Sequence, residues 1–135
     1  LTDDGYAACD FDAPEVWWHG IADLLIVNGS LAHLVDYKTG KNAKYADARQ
    51  LDLLAGGVFT RFPEVQKIKG ALLYVVSGVL IKKDHVREEL GTYMSVFRPE
   101  LDRLAAAHDS GVWNANSGPL CGWCPVVSCD HHRRR

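Results

Sequence analysis

The stretch GIADLLIVNGSLAHLVDYKTGK, residues 20–41, predicts a β-hairpin on which the expected fold is built. Its centre, Asn28-Gly29, is the strongest short signal for a two-residue hairpin turn. Residues 15–27, EVWWHGIADLLIV, are rich in β-branched and aromatic types, which favour a strand, and residues 31–38 return as the second strand. A turn at these two residues would pair Val27 with Ser30.

Three charged residues, Asp23, Asp36 and Lys38, lie within the predicted strands, where a core-forming hairpin usually carries none. Residues that pair directly share a face, as do residues two apart along one strand. All three side chains should therefore emerge on one face, with Asp23 and Asp36 as diagonal neighbours at about 7–8 Å between Cα atoms. The same pairing puts His19 opposite Lys38, although a histidine among tryptophans is more often a packed strand residue.

Two carboxylates at that separation can converge on one divalent cation, which would remove their mutual repulsion. Oxygen ligands favour a hard ion such as Mg²⁺ or Mn²⁺, which keeps several water molecules. Lys38 could stabilise charge that develops on a phosphate or orient an attacking water. A solvent-facing strand with an Asp–Lys salt bridge would explain Asp36 and Lys38 alone, but it does not explain Asp23 on the same face.

The rest of the hydrophobic pattern predicts a mixed sheet with helices packed against it. The predicted elements are strands over residues 15–27 and 31–38, a helix over 43–59, strands over 68–76 and 79–83, and a kinked helix or two abutting helices over 85–108. This order, ββαββα, indicates an α/β fold. The 135 residues fit one domain, 1–135, in which residues 111–135 form a loop-like tail.

Composition limits the possible classes of protein. No stretch approaches the roughly 18 apolar residues of a membrane span, and no charged-then-apolar leader opens the chain, so we expect a soluble intracellular protein without a membrane partner. The formal net charge of −2 gives no overall attraction to nucleic acid, so a site for a polyanion must be local. The local basic candidates are Lys38, Lys41, Lys44, the pair Lys82-Lys83, and Arg133–Arg135.

The combination of Gly20 and Asp23, the string VDYKTG at residues 35–40, and Gln50 on the next helix resembles the PD-(D/E)XK nucleases. Within that superfamily the chain is most similar to the RecB-like exonucleases, which include phage and CRISPR-associated members. The resemblance covers residues 15–60. It implies a restriction-endonuclease-like mixed β-sheet flanked by helices.

The resemblance also implies roles for individual residues. Asp23 and Asp36 would be metal ligands, and Tyr37 would contribute its backbone carbonyl. Lys38 would be the catalytic lysine, and Gln50 would lie near the metal at the start of the helix. The implied activity is Mg²⁺- or Mn²⁺-dependent hydrolysis of DNA by an exonuclease, in the cytoplasm of the host if the protein is encoded by a phage.

Two positions depart from the family pattern. The family usually has an aromatic residue four positions after the glutamine, where this chain has Leu54. The family also has an acidic residue on a helix well upstream of the hairpin, and Glu15 is too close to the strand for that role. Either the upstream helix is lost, or another chain supplies it, or the fold is catalytically incomplete. The alternative function is a catalytically incomplete DNA-binding or assembly module that retains the fold, and a third is a metal-dependent enzyme acting on another substrate.

Three cysteines, Cys121, Cys124 and Cys129, lie within nine residues, and Cys9 stands far from them. Some RecB-like nucleases hold an iron–sulfur cluster with three C-terminal cysteines and one distant N-terminal cysteine. The resemblance therefore implies a [4Fe–4S] cluster, with Cys9 as a candidate fourth ligand. Local spacing instead allows Zn²⁺ bound by the three cysteines and His131, or reduced cysteines without a metal. These three alternatives stay open.

Overall fold

The computed structural model describes residues 8–14, 16 and 18–132 of the chain. Glu15 and the basic run Arg133–Arg135, both considered above, lie outside the described residues. The chain divides into two compact units, Leu1–Phe97 and Arg98–Arg135. Among the described residues, no helix has the length and apolar character needed to cross a membrane.

The first unit is a four-stranded sheet with helices, as the sequence pattern predicts for a mixed α/β fold. Its elements are β1 (Leu24–Asn28), β2 (Leu31–Lys38), a 3₁₀ helix (Ala43–Tyr45), α1 (Arg49–Arg61), β3 (Lys67–Tyr74), β4 (Val79–Val86), a second 3₁₀ helix (Arg87–Glu89) and α2 (Leu90–Ser95). The strand order is β1-β2-β3-β4, with β2 and β3 parallel and the other two pairs antiparallel. Because parallel strands need a crossover connection, α1 links β2 to β3.

The hairpin turn lies one residue later than predicted. Val27 pairs with Ala32 instead of Ser30, and the turn is Gly29-Ser30 instead of Asn28-Gly29. Gly29 has a φ of 57°, a conformation that favours glycine at this turn position. The predicted pairing is therefore wrong by two positions. An even shift leaves every side chain on its predicted face, because side-chain direction alternates with a period of two.

The first strand begins at Leu24, well after the predicted start at residue 15. The physical reason is a hydrogen bond that the backbone amide of Tyr37 donates to the carboxylate of Asp23, at 2.7 Å. The Asp23 side chain thus replaces the backbone carbonyl that would have continued the hydrogen bonding between β1 and β2. His19 is consequently outside the sheet, and its predicted position opposite Lys38 is wrong. Its ring instead stacks on Phe11, with centroids 4.1 Å apart.

Two side-chain caps divide the helix that was predicted over residues 43–59. Asn42 Oδ1 accepts the amide of Lys44 at 2.8 Å, and Asp47 Oδ1 accepts the amide of Arg49 at 2.9 Å. Such local caps compete with a continuous helix, so a 3₁₀ turn comes first and α1 begins only after Asp47. The Arg49 side chain hydrogen-bonded to Asp47 also holds the pKa of that carboxyl below its ordinary value.

The core lies between α1 and one face of the sheet. The residues that form it are Leu51, Leu54, Ala55, Val58 and Phe59 of α1, Ala32 and Leu34 of β2, and Val65, Ile68, Leu72 and Tyr74 in or near β3. Burying this apolar surface is what fixes α1 across the parallel strands. In addition, Gly56 of α1 admits α2 closely, since a Cβ atom there would lie 2.5 Å from Met94 Sδ.

The second unit contains α3 (Arg98–Ser110) and a 3₁₀ helix (Pro119–Trp123). The helical segment predicted over residues 85–108 begins only at Leu90, because residues 85–86 complete β4 and residues 87–89 form the second 3₁₀ helix. From Leu90 onward it is divided between two helices, α2 and α3, as one of the two predicted forms requires. Pro99 lies in the first turn of α3, where a missing amide hydrogen removes no intrahelical bond. From Gly111 to His132 the chain is loop and turn apart from the 3₁₀ helix, as predicted for this segment.

Candidate functional site

The predicted site residues meet where β2 ends and α1 begins. Asp36 and Lys38 pair with Leu72 and Tyr74 of β3, which are buried residues of the helix-facing side of the sheet. The two charged residues therefore continue the apolar row of β2 to its carboxyl end, beneath the first turn of α1. In an α/β sheet with a crossover helix, this end of a parallel strand is where functional groups commonly lie.

A lysine joins the strand to the helix at this point. Lys38 Nζ is 2.8 Å from Asp36 Oδ2 and 2.7 Å from Gln50 Oε1. The Lys38 side chain is 32% exposed and that of Asp36 is 13% exposed, so the pair is largely shielded but open on one side. The structure thus brings together three of the residues predicted for the site.

Asp36 keeps one buried oxygen without a hydrogen bond. Asp36 Oδ2 is inaccessible to solvent and accepts no hydrogen bond from any described residue. Its 2.8 Å contact with Lys38 Nζ meets the distance of an ion pair, but the angles at the two atoms do not form a hydrogen bond. The Lys38 ammonium therefore already compensates the charge on this oxygen, and a metal ion bound at Asp36 would share the carboxylate with Lys38.

Asp23 approaches the same place from the other strand of the hairpin. Leu24 pairs with Val35, so continuing the register by one step puts Asp23 directly opposite Asp36. The sequence had predicted a diagonal arrangement of these two residues. Asp23 Oδ2 accepts the Tyr37 amide at 2.7 Å, which fixes the carboxylate against β2. The Asp23 side chain remains exposed.

These residues supply oxygen donors that suit Mg²⁺ or Mn²⁺. The predicted ligands are the carboxylates of Asp23 and Asp36 and the backbone carbonyl of Tyr37, whereas the amide oxygen of Gln50 accepts from Lys38. Among residues 8–14, 16 and 18–132, no group of three or more His, Cys, Asp or Glu side chains is arranged to hold one ion. A hard cation at the two aspartates would complete its shell with backbone oxygen and water, as Mg²⁺ commonly does.

A second polar cluster next to the site was not predicted from the sequence. Asp52, in the first turn of α1, is 4% exposed, and His85 of β4 is 1% exposed. Lys83 Nζ lies 2.7 Å and 2.8 Å from the two carboxylate oxygens of Asp52, and His85 Nε2 lies 2.7 Å from Oδ1. The available sequence signal was a lone acidic residue beside Leu51 on the apolar side of the helix.

The cysteine segment belongs to the second unit. Cys121 and Cys124 are half-buried and Cys129 is exposed, and all three are free thiols. The Cys124 amide donates to the Cys121 carbonyl at 3.4 Å, and the Gly118 amide donates to Cys121 Sγ at 3.2 Å. The first two cysteines therefore lie on the tight turn that a shared metal would require. Metal binding there, by an iron–sulfur cluster or by zinc, remains a prediction.

Comparisons of the chain with protein-family models, with curated proteins and with solved structures find no match. A function for this chain therefore has to be inferred from the site itself. The features available are the two aspartates, the lysine between strand and helix, and the polar cluster beside them.

Proposed function

We propose that the chain is a metal-dependent DNA nuclease with a restriction-endonuclease-like fold, acting in the cytoplasm. The observation that carries the proposal is the position of Lys38 Nζ, within 2.8 Å of Asp36 Oδ2 and 2.7 Å of Gln50 Oε1. An exposed Asp–Lys salt bridge contributes little to stability. Such a salt bridge does not require a third partner on a neighbouring helix. A lysine held by Asp36 on one side and by Gln50 on the other suits a reaction that develops negative charge nearby.

In this proposal the two aspartates hold the ion and the lysine acts on the phosphate. Asp36 offers its carboxylate as a ligand, and Asp23 is held ready because the Tyr37 amide fixes its carboxylate. A bound Mg²⁺ or Mn²⁺ would supply an activated water and polarise the phosphoryl oxygens. Lys38 then stabilises the charge that grows on the phosphorus-bound oxygens, since its ammonium is already oriented by Gln50.

DNA is the proposed substrate because the positive charge of this chain is local. Lys41 and Lys44 are exposed on the segment that follows β2. A phosphate backbone that reaches Lys38 would pass close to the segment containing Lys41 and Lys44. Contacts of this kind provide most of the affinity of proteins for DNA backbones. Local contacts of this kind are consistent with the formal net charge of −2, which gives the chain no overall attraction to DNA.

The proposal is tested by cleavage of labelled single- and double-stranded DNA with Mg²⁺ or Mn²⁺. The wild type should cleave, and Lys38→Ala should lose on the order of a hundredfold or more of the rate. Lys67→Ala is the matched control, because Lys67 is an exposed lysine in an ion pair with Asp84 at 3.4 Å. DNA binding without cleavage in either metal would replace the proposal with the catalytically incomplete binding module. If the protein cleaves only phosphodiesters other than DNA, the substrate has to be reassigned.

A further inference from the structure

The first turn of α1 is held by polar contacts on both of its sides. On one side, Gln50 accepts a hydrogen bond from Lys38 of β2 at 2.7 Å. On the other side, Asp52 is bound by Lys83 and His85 of β4, with the closest atoms 2.7 Å apart in each case. The helix is thus tied to strands that lie on opposite sides of β3.

The geometry of an α-helix explains why two such contacts act together. Gln50 and Asp52 are two positions apart, so their side chains leave the helix about 200° apart around its axis. Leu51 lies between them and is fully buried against the sheet. A roll of α1 that kept Leu51 in the core would break one or the other polar contact. The two contacts therefore act together with the buried apolar face of α1 in fixing the rotation of the first turn.

Stability alone does not account for the cluster around Asp52. Replacing a buried ion pair by apolar side chains of similar volume is often neutral or stabilising. The cluster is also imperfect, because His85 Nδ1 is buried and has no hydrogen-bond partner among the described residues. A directional pair at Asp52 adds a contact whose geometry depends on the rotation of this one turn of the helix.

We infer that Asp52 is a positioning residue, which holds Gln50 against Lys38 by fixing the first turn of α1 to β4. The catalytic consequence rests on the proposed nuclease function, whereas the positioning itself does not. When the Asp52 contact is lost, the first turn gains freedom to roll and Gln50 moves away from Lys38. The lysine then spends less time in the orientation that the reaction uses, while the aspartates of the site are untouched.

The kinetic test uses Asp52→Asn, which keeps the shape of the side chain and removes its charge. The rate constant kcat should fall by about tenfold to a hundredfold, as expected for a misplaced catalytic group, with KM and Mn²⁺ affinity unchanged. Asp84→Asn is the control, because the Asp84 side chain is 51% exposed and forms an ion pair with Lys67 of β3. In a Gln50→Ala background, Asp52→Asn should cause no further loss. Full additivity of the two losses would overturn the inference.

A second readout needs no activity. In a ¹⁵N-labelled protein, the side-chain amide resonances of Gln50 should move in Asp52→Asn and stay in place in Asp84→Asn. If the wild type cleaves nothing but these resonances move, the positioning role stands and the nuclease proposal fails. If they do not move and kcat is unchanged, the positioning role fails. Should Asp52→Asn not fold, Lys83→Gln repeats both measurements, because it removes the more exposed partner and keeps His85.

Discussion

Asp36→Asn should leave the metal-free protein almost as stable as the wild type and abolish its stabilisation by Mn²⁺. The change removes an ion pair with Lys38, whose side chain is 32% exposed, so the loss should be about 1 kcal/mol or less. It also relieves repulsion from Asp23, which offsets part of that loss. The free energy of unfolding without metal should therefore change by no more than about 1 kcal/mol.

With Mn²⁺ present, the free energies of unfolding of the wild type and of Asp36→Asn should differ. At a free Mn²⁺ concentration 100 times its dissociation constant, binding to the folded state stabilises the wild type by about 2.7 kcal/mol. If the mutation weakens binding about a hundredfold, the same concentration stabilises the variant by only about 0.4 kcal/mol. Urea unfolding with and without Mn²⁺ measures both quantities, and Asp23→Asn should behave in the same way.

Two results would refute this reasoning. Equal stabilisation of wild type and Asp36→Asn by Mn²⁺ would show that the ion does not bind at Asp36. A loss of more than about 3 kcal/mol without metal would show that the carboxylate is a structural partner of Lys38, as expected when a buried pair is broken. Asp84→Asn is again the control and should match the wild type in both conditions, since its side chain is 51% exposed.

Two further predictions concern other parts of the chain. Burial raises the pKa of Tyr93 above 10.0, and its hydrogen bond to Glu89 adds to the effect. The contribution of Tyr93 to stability should therefore be full below that value and be lost as the pH rises through the folded pKa. Ultraviolet difference absorbance should detect the late ionisation, and a pH profile of stability that is unchanged in Tyr93→Phe would contradict this prediction. If the cysteines bind a metal, Cys124→Ser should lower the melting temperature and loosen residues 111–135. Elemental analysis of protein purified without oxygen should then find iron or zinc, and finding neither, with wild-type melting, would leave ordinary reduced thiols.

The second strand of the hairpin was predicted from the sequence to the residue, whereas the first strand was not. β2 spans Leu31–Lys38 as predicted, because its alternation and its following turn residues are local features. The start of β1 depends on the carboxylate of Asp23 capturing the Tyr37 amide, a contact between residues 14 positions apart. Propensity alone does not reveal such a competition between side chain and backbone. The faces of the charged residues were nevertheless predictable, since an even shift in register preserves them.

The site was predictable only in part for a related reason. Asp36, Lys38 and Gln50 belong to a short motif that spans one strand, one connection and the start of one helix, so their proximity follows from local structure. Asp52 is next to them in sequence, but its partner Lys83 is 31 positions away on β4. An acidic residue on a helix does not reveal by itself which distant strand supplies its partner. The three-dimensional arrangement was needed to identify this cluster.

The most direct test of the central claim is DNA cleavage by Lys38→Ala after its Mn²⁺ binding has been measured by calorimetry. The account predicts that the variant binds Mn²⁺ as the wild type does, because Lys38 is not a ligand, and that its cleavage rate is lower by on the order of a hundredfold or more. Cleavage at the wild-type rate, with Mn²⁺ bound, would contradict the account and reduce Lys38 to an ion-pair partner of Asp36.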